Sequence, residues 1–138
     1  MNITCAKSVL LGQEIFSTVG NCKIIPDREI NSSNLEKSDA LIIRSNTPVD
    51  KSMLENTSLK FIGTATSGRD HIDIDLLSKE NIHLFVASGC NAKSVAEYVI
   101  ASLLHLSREH DINLNNKNMA VIGCGNVGSA VCKKSKAL

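Results

Sequence analysis

The chain has 138 residues, 43% of them hydrophobic and 21% charged, with a formal net charge of +1 at pH 7. That length suits one compact domain, and the near-neutral balance gives no broad electrostatic reason to expect nucleic acid or a membrane surface as partner. No apolar run approaches the ~20 residues needed to cross a bilayer, and Met1-Asn2-Ile3-Thr4-Cys5 lacks the basic start and apolar stretch of a secretory signal. A cytoplasmic protein is expected.

Asn2 to Ala6 reads as a short apolar strand. A helix carrying Val9, Leu10, Gln13, Ile15 and Phe16 follows, and Gly20, just past its end, suits a left-handed cap. Cys22 to Ile25 reads as a second strand, stopped by Pro26. A short helical segment near Ser33 to Lys37 leads to the strand Ala40-Leu41-Ile42-Ile43. Pro48 suits a helix start, with Val49, Met53 and Leu54 on the apolar side. Lys60 to Gly63 reads as the next strand. The hydroxyl-rich loop Thr64-Ala65-Thr66-Ser67-Gly68 comes next, then a helix with Ile72, Leu76 and Leu77, then a strand from His83 to Val86.

These strands are continuous apolar runs rather than alternating ones, the pattern of a parallel sheet covered by helices on both faces. Residues 1–90 therefore read as a small doubly wound α/β unit. The longest helix begins near Asn91. Ser94 and Glu97 have capping-box spacing, and Val95, Val99, Leu103 and Leu106 form an apolar stripe. Ala96, Ile100 and Leu104 widen it, so the helix at 91–109 is a candidate surface for a homodimer. The polar stretch from Asp111 to Lys117 closes a connecting segment, 91–117. A further strand is expected over Asn118-Met119-Ala120-Val121-Ile122, opening a third segment, 118–138. The small basic cluster Lys133, Lys134 and Lys136 falls in the last turn of its helix, where cations suit the dipole.

Gly123-Cys124-Gly125-Asn126-Val127-Gly128 fits the G-x-G-x-x-G pattern, and it sits between an expected strand and an expected helix, the context that makes the pattern informative. Gly123 would allow a tight turn. Gly125 would let backbone approach a diphosphate, and Gly128 would let helix and strand pack closely. The N–H groups at the helix start, with the helix dipole, would hold phosphate charge. The partner acid for a ribose is expected ~20 residues past the glycines, beyond Leu138. The chain thus reads as the front portion of a longer enzyme, with low cofactor affinity by itself.

Several segments, in order, resemble the D-isomer-specific 2-hydroxyacid dehydrogenases. They are Ile43-Arg44-Ser45 with Thr47; Phe61-Ile62-Gly63-Thr64-Ala65-Thr66-Ser67-Gly68; Asp70-His71-Ile72-Asp73; Gly89-Cys90-Asn91-Ala92 with Val95-Ala96-Glu97-Tyr98-Val99; and the glycine motif. The resemblance implies an α/β fold: a flavodoxin-like parallel-sheet substrate-side domain, followed by the first strand and helix of a truncated Rossmann domain. It implies an NAD-dependent oxidoreductase acting on a small phosphorylated hydroxy acid. It places Ser45 and Thr66 against that substrate, and Asn126 and Val127 beside Gly123, Gly125 and Gly128 as backbone contacts to NAD. For Ser45 and Thr66 the alternative is capping of local backbone. Arg44 could add a charge-assisted contact to the substrate, or form a surface salt bridge. Asn91 could order an interdomain hinge, or cap the long helix.

The family's first strand is usually followed by an acidic, asparagine-containing segment, where this chain has Ala6-Lys7-Ser8-Val9. The arginine that takes the substrate carboxylate in this family, and its histidine general acid with a paired glutamate, match positions beyond this chain, so no catalytic residue is assigned and 1–138 alone is expected to be inactive. His71, His83, His105 and His110 are read as non-catalytic; His105 has Glu109 one turn on, but a helix-surface histidine is commoner than a metal pair. Five cysteines without paired spacing (Cys5, Cys22, Cys90, Cys124, Cys132) suit reduced thiols. The rivals are a non-catalytic product of an interrupted gene, a fragment of another dehydrogenase of the same kind, and a flavodoxin-like signalling module. The latter wants acidic residues at the end of the first strand, where Cys5-Ala6 stands.

Overall fold

A computed structural model describes residues 1–115 and 117–138; Asn116, within the expected polar linker, lies outside the described residues. The chain divides into two compact units, Met1–Ala87 and Ser88–Leu138.

The first unit alternates strand and helix: β1 (Asn2–Ala6), α1 (Gly12–Phe16), β2 (Asn21–Ile25), α2 (Ser32–Leu35), β3 (Ala40–Ile43), α3 (Lys51–Leu54), β4 (Phe61–Thr64), α4 (Ile74–Lys79) and β5 (His83–Val86). All pairings are parallel, and the strand order is β2-β1-β3-β4-β5. This is the flavodoxin-like order. The central strand β3 is buried at every residue because both faces are covered. Leu41 and Ile43 join Ile62, Leu35, Met53, Leu54 and Leu77 in the larger core. Ala40 and Ile42, pointing the other way, join Ile3, Cys5 and Cys22 under Phe16 of α1.

The apolar run of β5 is not buried on both sides. Its register places His83 and Phe85 beside Phe61 and Gly63, on the face that α1 covers within this unit. Phe85 is 60% exposed and Phe61 36%. Within this unit, helices do not bury both faces at this end of the sheet.

Helix starts also differ from expectation. Leu11 takes the left-handed region at φ 56° as N-cap of α1, so Val9 and Leu10 precede the helix. Pro48 does not open α3; Asp50 caps it, accepting from Met53 N at 3.0 Å. Val49 and Ile72, expected inside helices, instead pair as an isolated parallel bridge. Gly20 is not left-handed. It is required by close approach, since a Cβ there would lie 2.5 Å from Met1 O. The left-handed positions near the ends of α3, α4 and α5 belong to Asn56, Asn81 and Asp111, residue types that tolerate that region.

In the second unit, α5 (Ala92–Glu109) packs with α6 (Asn126–Ser135). Ala92 and Ala96 are its buried positions, while Tyr98, Leu104 and Leu106 stay exposed. Asn91, not Ser94, holds the N-cap, and it does so without a side-chain capping bond. Ser94 lies inside the helix, so the expected capping box is absent. Residues 118–122 form no paired strand, and Ile122 is fully exposed. A strand is held by ladder hydrogen bonds to a neighbour, and this unit provides none among the described residues. No helix is long and apolar enough to cross a membrane among the described residues.

Candidate functional site

Because every pairing is parallel, the loops after β1, β3 and β4 leave from one edge of the sheet. The strand order reverses between β1 and β3, the topological switch point where open α/β sheets bind ligands. The loops flanking it are tied together. Arg44 Nη1 donates to Ser8 O at 3.4 Å. Ser8 donates from its hydroxyl to Asp27 Oδ1 at 2.5 Å and from its backbone N to Oδ2 at 3.1 Å. Ser8, in the segment that departs from the family's acidic pattern, thereby recruits a carboxylate from the turn after β2. Arg44 forms no salt bridge with a carboxylate among the described residues. Ser45 stands exposed beside it.

The loops after β3 and β4 are joined too. Val49 N donates to His71 O at 2.8 Å, and Asp73 N to Val49 O at 3.0 Å. Thr47 is wholly buried between these segments of sequence, and its hydroxyl has no hydrogen-bond partner among the described residues.

Thr64 ends β4 with 1% exposure. Its Oγ1 lies 2.7 Å from Thr66 Oγ1 and 3.3 Å from His71 Nε2. Thr66 Oγ1 in turn donates to Gly68 O at 3.2 Å. Partial burial holds the His71 imidazole below the ordinary histidine range, opposed in part by the Asp70 carboxylate. Thr64 and His71 did not figure as site residues in the sequence. Thr66 lies past the end of β4 in the bend that follows it, so neither strand alternation nor the spacing of His71 points to these contacts.

The glycine motif has a clear division of labour within the second unit. Gly123 adopts φ +91°, with nothing within 4 Å of where a Cβ would stand. Gly125 is the extended N-cap of α6 and is equally open. Gly128 is the reverse: a Cβ there would run into Gly123 O and touch Val121. The turn is fixed by Ser129, whose N donates to Gly125 O and whose hydroxyl donates to Cys124 O, both at 2.9 Å. Gly123, Gly125 and Asn126 are exposed and Val127 and Gly128 half-buried. The first N–H groups of α6 lack intrahelical acceptors by geometry. An open turn at a helix start, with its close contact on the inner side, fits a diphosphate.

Elsewhere, His105 Nε2 lies 3.5 Å from Glu109 Oε2 on exposed helix surface, an ordinary one-turn pair. Lys134, from the basic cluster, pairs with Glu97 at 3.2 Å.

The family described as D-isomer specific 2-hydroxyacid dehydrogenase, catalytic domain, matches residues 10–133. The chain belongs to this family. Among curated relatives, an erythronate-4-phosphate dehydrogenase of Hydrogenovibrio crunogenus is 44% identical over 131 residues, covering 95% of this chain and 35% of the relative. One from Wigglesworthia glossinidia brevipalpis is 38% identical over 138 residues, covering 100% of this chain and 36% of the relative. The chain thus spans about a third of the length of these relatives. A crystal structure of D-lactate dehydrogenase from Aquifex aeolicus, complexed with NAD and lactic acid, superposes with a TM-score of 0.74 at 25% identity, over 99% of this chain and 48% of that one. An NAD-bound 3-phosphoglycerate dehydrogenase of Entamoeba histolytica gives 0.72 at 24% identity, over 99% of this chain and 51% of that one, a likeness of fold.

As a D-2-hydroxyacid dehydrogenase chain, the molecule divides its candidate chemistry between its units. Arg44, Ser45 and Thr66 lie in the first. Gly123, Gly125, Asn126, Val127 and Gly128 lie in the second.

Proposed function

We propose that this chain forms the front part of an NAD-dependent dehydrogenase that oxidises 4-phospho-D-erythronate to its 2-oxo acid, a step of pyridoxal phosphate biosynthesis in the cytoplasm. In this reading residues 1–90 are the substrate-side domain, 91–117 the interdomain helix and linker, and 118–138 the start of the NAD-binding domain. The observation that carries it is the glycine turn, open at Gly123 and Gly125 and closed at Gly128, in a chain 38% to 44% identical to erythronate-4-phosphate dehydrogenases.

Ser45 and Thr66 would donate hydroxyl hydrogen bonds to the phosphorylated acid, and Arg44 would add a charge-assisted one. Gly123, Gly125, Asn126, Val127 and Gly128 would hold the NAD diphosphate through backbone N–H groups. When bound, the nicotinamide accepts the hydride leaving C2. The residues of this chain bind and orient; the family's arginine and histidine–glutamate pair match no position within it. The chain alone is therefore proposed to lack turnover. The exposed Tyr98, Leu104 and Leu106 of α5 are the surface a homodimer would use.

The test is an amide chemical-shift titration of 1–138. Added 4-phospho-D-erythronate should shift Arg44 to Thr47 and Thr66 to Gly68, and added NAD should shift Gly123 to Gly128. Shifts confined to other segments at millimolar ligand would overturn the assignment. Steady-state NADH formation by this chain would overturn its inactivity.

A further inference from the structure

The hydroxyls of Thr64 and Thr66 each own a single proton, and that count fixes the direction of their hydrogen bonds. Thr66 donates to Gly68 O, because a carbonyl only accepts. Its proton is then committed, so in the 2.7 Å contact Thr64 is the donor and Thr66 the acceptor. Thr64 has no second proton for His71. The 3.3 Å contact therefore requires His71 to donate from Nε2. The chain runs His71 Nε2–H to Thr64, Thr64 to Thr66, and Thr66 outward.

We propose that His71, acting through the buried hydroxyl of Thr64, is a positioning residue that keeps Thr66 a hydrogen-bond donor toward the phosphorylated substrate. The inference rests on the reading of Thr66 as a substrate ligand. It adds what makes that hydroxyl suited to an anion. In the other neutral tautomer Nε2 would accept, Thr64 would donate to it, and Thr66 would donate inward to Thr64. The edge of the sheet would then present lone pairs to an anionic ligand. With this deduced direction, Thr66 needs only to turn its proton from Gly68 O to a ligand oxygen. The bonds behind it polarise in the same sense and strengthen it.

Burial supports the arrangement. Thr64 is 1% exposed, so water does not compete for its hydroxyl. The Val49–Ile72 bridge and the bond from Val49 N to His71 O hold the histidine backbone in place. Partial burial also favours the uncharged ring, whose tautomer then matters.

Two measurements on the full 138-residue chain decide it. Long-range proton–nitrogen correlation of the His71 ring should show the Nε2-protonated tautomer when the ring is neutral, and Thr64→Val should weaken that preference. In titrations with 4-phospho-D-erythronate, Thr64→Val and His71→Phe should each weaken binding by roughly three- to tenfold, the scale of one net hydrogen bond. Thr64→Ser, which restores the hydroxyl, and His71→Gln, which restores an N–H donor, should bind within about twofold of wild type on the same scale. An Nδ1-protonated ring would overturn the relay. So would Thr66→Val weakening binding while Thr64→Val leaves it unchanged, and in that case the substrate role of Thr66 stands. If Thr66→Val leaves binding unchanged, or the wild-type chain does not bind, the substrate role itself falls and the proposal falls with it.

Discussion

The side chain of Asn126 lies against the α-carbon of Gly89: a Cβ on Gly89 would fall 2.8 Å from Asn126 Nδ2 and 3.0 Å from its Cγ. Gly89 also has φ +76°. Two separate reasons thus exclude a larger residue two positions before the N-cap of α5. Gly89→Ala is expected to destabilise the second unit by about 1–2 kcal/mol from the left-handed backbone alone, with the contact adding to it. The two parts separate in a double-mutant cycle. Asn126→Ala should recover the contact part and leave the backbone part. Urea unfolding of the four proteins measures this, and equal Gly89→Ala costs in both backgrounds would remove the contact from the account.

Within the glycine motif, Gly125 and Gly128 should respond oppositely. Gly128→Ala forces a methyl group into Gly123 O and is expected to cost about 1–3 kcal/mol, as overpacking does. Gly125 has an ordinary extended backbone and open space around it. Gly125→Ala should therefore leave the unfolding midpoint near wild type while weakening the millimolar shifts that NAD produces in the turn. Loss of stability at Gly125 without any change at Gly128 would contradict the division of roles.

Much of this architecture is legible in the residues. β1, β3 and β5 stand where their apolar runs begin and end, because a short run flanked by polar residues has little freedom of register. Short helices are harder. Val49 and Ile72 are apolar and buried in the larger core, yet they enter it from bridged loop segments rather than from a helix face. Residues 118–122 read as a strand by composition, but a strand needs a neighbour. The glycine turn was readable because its demands are local, a positive φ at Gly123 and a close approach at Gly128. The contact between Thr64 and His71 was not, because it depends on the path of a loop that no periodicity describes.

Thiol reactivity should divide by burial. Cys5 is fully buried, and burial first, then the neighbouring Cys22 and Asp27, pushes its thiol up to about 12. Burial also raises Cys22. Reaction requires the thiolate, so iodoacetamide at pH 8 should label exposed Cys90 and Cys124 in the folded chain and spare Cys5 and Cys22 until urea is added. Peptide mass mapping reads the outcome. Native labelling of Cys5 at the rate of Cys124 would mean that the β1 face opens readily.

The last expectation concerns pH. Burial lowers the pKa of His71 in the folded chain, with Asp70 opposing, so the unfolded chain binds the proton more readily. Stability then rises with pH wherever the unfolded state holds more protons. The window lies between the depressed folded value and the ordinary histidine value of ~6.5. Above that window His71 is neutral in both states and imposes no penalty; as pH falls through it, stability is lost. The difference in unfolding free energy between wild type and His71→Gln should therefore be constant above neutrality and turn against the wild type as the solution is acidified. Urea midpoints measured from pH 8 to pH 5 test this. A difference that stays flat across the range would show that the ring protonates as easily in the fold as outside it, and that His71 is far better solvated than its place beside Thr64 implies.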